Sequence, residues 1–221
     1  MPQTIHSNSL FPAKNVNAVG ISVTAFGLLC GLTGMIAGIF EILQGNLPVE
    51  TFKISTTGSA YSMFEHDTYL AYTLLGNYLL TGIVTIIVSL AVIIWSIFFI
   101  DWKYGGLIFY LLSIIQLLTG GGFVIDLATI TFVLSFGINS KLSWWNKIFH
   151  GTFGQFLKRL WFPGLLVYAV IALVLLMLTI TGVNSNEILE IIVKLATLMF
   201  IPILLMIFGG IAYNVNGRAD S

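Results

Sequence analysis

An all-α bundle embedded in a membrane is the fold class this sequence predicts, and three observations carry it. The 221 residues are 57% hydrophobic and only 8% charged, against about a quarter charged in soluble domains. Too little polar surface exists to coat a water-soluble globule. Hydrophobic runs stand out at roughly 18–43, 70–100, 105–137, 162–182 and 188–213, each long enough to approach or exceed the ~20 residues that cross a bilayer as a helix. In the first run, Gly27, Gly31, Gly34 and Gly38 fall at i, i+4, i+7 and i+11. They form one narrow stripe that lets a neighbouring helix backbone approach closely, as helices do where lipid offers no hydrophobic driving force.

The first run carries a single charge, Glu41. At 100° per residue Glu41 projects within about 60° of the glycine stripe, so it should face protein. Two readings fit it: an interfacial carboxylate anchoring the helix end, or a buried acid bonded to Asn77 or Tyr72 of the second run. Cys30, the only cysteine, excludes an intrachain disulfide framework and reads as a small packing residue. Residues 1–17 hold one basic side chain, Lys14, and the apolar stretch that follows is too long for a signal-peptide core. The segment is expected to stay as a signal anchor.

Between the first two runs lies a polar loop, 44–69, with the acidic string Glu65-His66-Asp67. Three adjacent side chains do not converge easily on one ion, so this reads as a solvated loop without metal. In the second run Asn77 stands out within Leu74-Leu75-Gly76-Asn77-Tyr78. It reads as an interhelical hydrogen-bond residue or a substrate ligand.

Topology turns on the third run, 105–137. It is too long for one upright helix, and Gly120-Gly121-Gly122 at its centre is a poor helix interior. One tilted span, two short spans and a re-entrant hairpin all fit. Lys and Arg gather on the cytoplasmic side of membrane proteins. A hairpin puts Lys14, Lys103, Lys141, Lys147, Lys158, Arg159 and Arg218 on one side and Lys53 on the other. A single span leaves Lys14 and Lys103 opposed to the rest, a weaker asymmetry. The hairpin is preferred: six helical segments, both termini cytoplasmic. Asp126, four residues past Gly122, is an ionisable group within this run. It either caps the second half-helix or marks a functional site at a broken backbone.

The segment 139–161 is basic and aromatic. Leu142, Trp145, Phe149, Phe153, Phe156 and Leu160 share one arc of a helical wheel, with Lys147, His150, Gln155 and Lys158 on the other side. Over 142–161 this predicts an amphipathic helix at the membrane surface, its lysines near anionic lipids. In the last run Glu190 and Lys194 are spaced for an i,i+4 ion pair, and Pro202 should kink the helix.

The absences bound the chemistry. Nine basic residues balance nine acidic ones, which argues against nucleic acid as a partner. The chain contains no H-E-x-x-H, P-loop or G-x-S-x-G string. All three histidines, His6, His66 and His150, fall outside the predicted hydrocarbon core, which removes paired-histidine haem ligation. No cofactor, metal or catalytic residue is therefore expected. One membrane-embedded domain covers residues 1–221.

The strings Gly34-Met35-Ile36-Ala37-Gly38-Ile39-Phe40-Glu41-Ile42-Leu43-Gln44-Gly45-Asn46, Tyr72-Thr73-Leu74-Leu75-Gly76-Asn77, Gly120-Gly121-Gly122-Phe123 and Ser143-Trp144-Trp145 resemble uncharacterised multi-pass membrane proteins of prokaryotes. The resemblance implies a prokaryotic inner-membrane location and carries no activity. Three functions compete. The first is a small transporter or channel-like subunit with a polar site drawn from Glu41, Asn77 and Asp126 at the glycine break. The second is a structural or regulatory subunit packing on a membrane-protein partner, or on a second copy, through the Gly27–Gly38 face. The third, with least support, is an intramembrane enzyme acting on lipid through Asp126 and Glu41.

Overall fold

Asn17 opens the first helix. Its side-chain oxygen accepts from the Gly20 N–H at 3.1 Å, satisfying one of the amides a helix start leaves free. In the computed structural model, which describes residues 17–55, 70–122, 125–139, 145, 148–149, 151–181 and 186–217, helix α1 runs Ala18–Leu43. It ends where Gly45 takes φ +77° and its N–H bonds the Ile42 carbonyl at 2.9 Å, a left-handed stop that favours glycine.

The polar loop is more ordered than a solvated connection. Its described ends pair as two short antiparallel strands, β1 (Lys53–Ser55) and β2 (Leu70–Tyr72), with Ile54 opposite Ala71. The Glu65–Asp67 string lies outside the described residues. The return strand continues past Tyr72: Thr73 bridges to Thr119, and the Leu74 N–H donates to the Leu118 carbonyl at 3.0 Å. The loop is thereby pinned onto the break in the third run.

Helix α2 (Tyr78–Phe98) starts at Asn77, whose side chain accepts from the Leu80 N–H. Its polarity is inverted relative to a soluble helix. Thr81, Thr85, Ser89 and Ser96 are fully buried, while Ile83, Ile87, Leu90, Ile94 and Phe98 are exposed. Hydroxyls face protein and aliphatic chains face lipid.

The third run is two helices, α3 (Gly105–Leu118) and α4 (Ile125–Asn139). They are antiparallel: Gly106 lies against Ser135, and Tyr110 stacks on Phe132 at 5.0 Å between ring centroids. At 1.5 Å per residue each is about 21–23 Å long, short of the ~30 Å hydrocarbon core. Gly120 and Gly122 make the break with φ of +108° and +75°.

Helix α5 (Thr152–Thr181) joins the second half of the predicted amphipathic segment to the fourth run. From Thr152 onward the amphipathic stretch is thus the opening of the fourth span; most of 140–150 lies outside the described residues. Helices α6 (Asn186–Leu198) and α7 (Phe200–Gly217) form the last run. Two polar contacts tie its end to the start of α1: Asn214 Oδ1 accepts from the Ala18 N–H at 2.9 Å, and Asn214 Nδ2 donates to Asn17 Oδ1 at 2.6 Å. Trp161 Nε1 donates to Ser22 Oγ at 3.0 Å, adding α5 to the same corner.

Four helical stretches are long and apolar enough to cross a membrane, Ala18–Leu43, Tyr78–Phe98, Thr152–Leu178 and Glu190–Asn216, with α3 and α4 as two shorter apolar helices. The contacts sort the chain into two ends. Asn17, the α2–α3 link at 99–104, the close of α4, the start of α5 and Asn214 share one. Residues 44–55 and 70–77 and the Thr119–Gly122 break share the other.

The glycine stripe has a definite neighbour. A Cβ at Gly27 would strike Ser96 and Phe109, at Gly31 Ile93, at Gly34 Gln116 and Ser89, and at Gly38 the Gly82 carbonyl. The chain's own α2 and α3 cover this face. Within this chain the stripe is therefore a contact with α2 and α3, and another helix could reach Gly27–Gly38 only by displacing α2.

Candidate functional site

Glu41 lies two residues before the end of α1, in register with Gly34 and Gly38, and is completely buried at 0% exposure. The helices around it explain how. Gly38 and Gly82 bring the α1 and α2 backbones together, so Thr85 of α2 reaches the carboxyl with Oγ1 3.3 Å from Oε2. The third-run break closes the opposite side. A Cβ on Gly120 would land on both carboxyl oxygens, and φ at Gly120 is +108°. Contact and conformation therefore both require glycine there. Thr85 Oγ1 also donates to the Thr119 carbonyl, joining α2 to the break. Glu41 Oε1 has no hydrogen-bond partner.

The carboxyl belongs to a column of buried polar groups along the α1–α2–α3 interface. Toward the loop end, Thr73 and Thr81 share a hydrogen bond of 3.1 Å. One turn deeper on α2 is Thr85, and one turn further Ser89. Opposite Ser89 lies Gln116 of α3, whose Nε2 donates to the Cys30 carbonyl at 2.8 Å across the space that Gly34 leaves open. Gln116 Oε1 and Ser89 Oγ, like Glu41 Oε1, are buried without partners. Buried polar atoms are nearly always satisfied. Three of the four such atoms among the described residues lie in this one column.

The other sequence candidates fall elsewhere. Asn77 caps α2 and donates through Nδ2 to Asn46 Oδ1 at 2.6 Å. The hydrogen bond anticipated from Asn77 or Tyr72 to Glu41 is made by Thr85 instead, because Thr85 is on the buried face of α2 and Asn77 precedes the helix. Asp126 is exposed in the first turn of α4, where a negative charge is stabilised by the helix dipole. It does not join the buried column. Of the glycines at the break, Gly120 contacts Glu41, Gly121 packs on Gln116, and Gly122 meets open space. Glu190 and Lys194 lie 2.7 Å apart on the exposed face of α6. Among the described residues no group of His, Cys, Asp and Glu could hold a metal ion.

Sequence reasoning missed Thr81, Thr85, Ser89, Gln116 and Gly82. A signal for most of them was present: hydroxyls recur every four residues in an otherwise apolar run, and Gln116 is the lone amide in α3. Gly82 carries no such mark.

Compared with protein-family profiles, curated proteins and solved structures, the chain matches none. The fold and its buried polar column define a multi-pass helical membrane protein.

Proposed function

We propose that this protein is a small transporter or channel-like subunit whose polar site is Glu41 beneath the Gly120 break. The observation that carries the reading is a fully buried carboxyl with one oxygen unpartnered, under a non-helical turn in a membrane helix pair. Ionisable groups are costly inside a bilayer, and they characteristically line pathways for ions or polar solutes. Broken helices at membrane depth serve the same purpose, freeing backbone groups for a ligand. The hydroxyl column extends the site along α2. An enzyme using Asp126 with Glu41 has no support here, since Asp126 is on the outside of α4.

The asymmetry of Lys and Arg supports an orientation with the Asn17 end facing the cytoplasm. Lys103, Lys158 and Arg159 lie at that end. The basic start of α5 would there meet anionic lipid.

The test is flux in proteoliposomes holding wild-type protein or Glu41→Gln. Valinomycin and a K⁺ gradient set the potential, an internal dye follows pH, and Na⁺ uptake is followed in parallel. Wild-type vesicles should pass one of these ions above protein-free vesicles, and Glu41→Gln should fall to the protein-free level. Equal flux in wild-type and empty vesicles for both ions would sink the transport reading.

A further inference from the structure

We infer that the species Glu41 binds is a proton, and that Glu41 sits in this structure as the carboxylic acid donating to Thr85. The inference rests on the transport reading for its physiological role, but its chemistry stands on hydrogen-bond geometry alone. Thr85 Oγ1 contacts two oxygens, Glu41 Oε2 at 3.3 Å and the Thr119 carbonyl. A threonine hydroxyl has one proton to give. The Thr119 carbonyl and an ionised Oε2 can both only accept, so a carboxylate here would leave Thr85 to divide one proton between two acceptors. A proton on the glutamate gives each contact its own donor. Bound that way, the carboxyl donates through Oε2, and Oε1 is the carbonyl oxygen left without a partner.

The surroundings agree. Among the described residues Glu41 has no ion-pair partner. The titratable group facing it is the phenol of Tyr78 at the head of α2. From α3 the column receives only Gln116 and the break backbone, Tyr110 being stacked on Phe132 of α4. Among the described residues no positive charge pairs with the carboxyl.

A metal cation is a poorer fit. It would need several oxygens disposed around it, and the Gly120 backbone lies against both carboxyl oxygens, filling that room. A proton needs no coordination sphere. The loop end is open at the surface, where Leu74 is 70% exposed. The Thr73–Thr81 hydroxyl pair lies between that surface and Thr85, one helical turn above it. The event is a simple one: hydronium gives up one O–H bond, the carboxylate oxygen gains one, water is left behind, and release reverses it with no electron transfer.

The experiment combines infrared difference spectroscopy and flux on the reconstituted full chain. In wild-type protein a protonated-carboxyl C=O stretch should be present, shift in D₂O and vanish at high pH; Glu41→Gln should lack it. Thr85→Val, which removes the accepting hydroxyl, should shift the band without abolishing it. That variant keeps the assignment testable if Glu41→Gln does not fold. Absence of any protonated-carboxyl band in folded wild-type protein at neutral pH, or a band unchanged in both variants, overturns the inference. Na⁺ flux sensitive to Glu41→Gln, with no acid band, overturns it while sustaining transport. An acid band that titrates and depends on Glu41, with no flux, sustains the proton site and sinks transport.

Discussion

Gly120 is the residue on which the site turns, because two independent costs meet there. Its φ of +108° excludes ordinary side chains, and the space a Cβ would take is held by the Glu41 carboxyl. Gly122 shares the first cost, at φ +75°, but meets open space. Comparing alanine at the two positions therefore separates backbone strain from contact. Gly122→Ala should destabilise by about 1–3 kcal/mol, the usual cost of a sparsely populated backbone conformation. Gly120→Ala should cost visibly more, and Glu41→Ala in the same chain should recover part of the difference, since residues in contact are not additive. Unfolding by SDS in mixed micelles reads these three variants, with Glu41→Ala alone closing the cycle. Equal losses at Gly120 and Gly122 would mean the break does not press on the carboxyl.

At the scale of elements, α1 and α2 are joined through backbone rather than side chains. A Cβ on Gly82 would stand 2.5 Å from the Gly38 carbonyl oxygen and 2.7 Å from the Ile42 nitrogen. Neither atom can rotate away, so Gly82→Ala must push the helices apart and loosen Thr85 from Glu41. A loss of about 1–3 kcal/mol is expected, the range for overpacking a tight interior. Gly76→Ala, where nothing lies within 4 Å, should leave stability unchanged in the same assay. An equal effect at both positions would argue against the close approach. The glycine stripe on α1 was legible because its spacing is helical, and the break because three glycines in a row resist helix formation. What covers the stripe was not legible. Lone Gly82 resembles any tolerated glycine, and nothing in one sequence says which face of α2 turns inward until the hydroxyl period is read against the aliphatic one. The strands at 53–55 and 70–72 were hidden for a different reason: three-residue strands carry too few alternations to register, and tertiary docking on Thr119 holds this pair.

For the whole molecule, the third-run hairpin decides which ends share a face of the membrane. Because α3 and α4 are antiparallel, Tyr104 before α3 and Thr152 at the head of α5 lie at one end, and Leu47 after α1 lies at the other. A single spanning third run would instead put Thr152 with Leu47. Leu47 is 47% exposed, Tyr104 60% exposed, and Thr152 is exposed as well, so each can report as a single cysteine. Cys30 is fully buried and should stay silent toward a membrane-impermeant thiol reagent. With intact cells, the fold requires Tyr104→Cys and Thr152→Cys to behave alike and Leu47→Cys to behave oppositely. If Leu47→Cys alone is labelled, the basic Asn17 end is cytoplasmic, and Glu41 opens toward the outer face through the Thr73–Thr81 pair. If the other two are labelled instead, the hairpin stands but the orientation inferred from Lys and Arg is reversed, and Glu41 would be reached from the cytoplasm. Labelling of Thr152→Cys together with Leu47→Cys would break the hairpin itself. That outcome would remove the turn that covers Glu41, and with it the physical basis for a site at this depth.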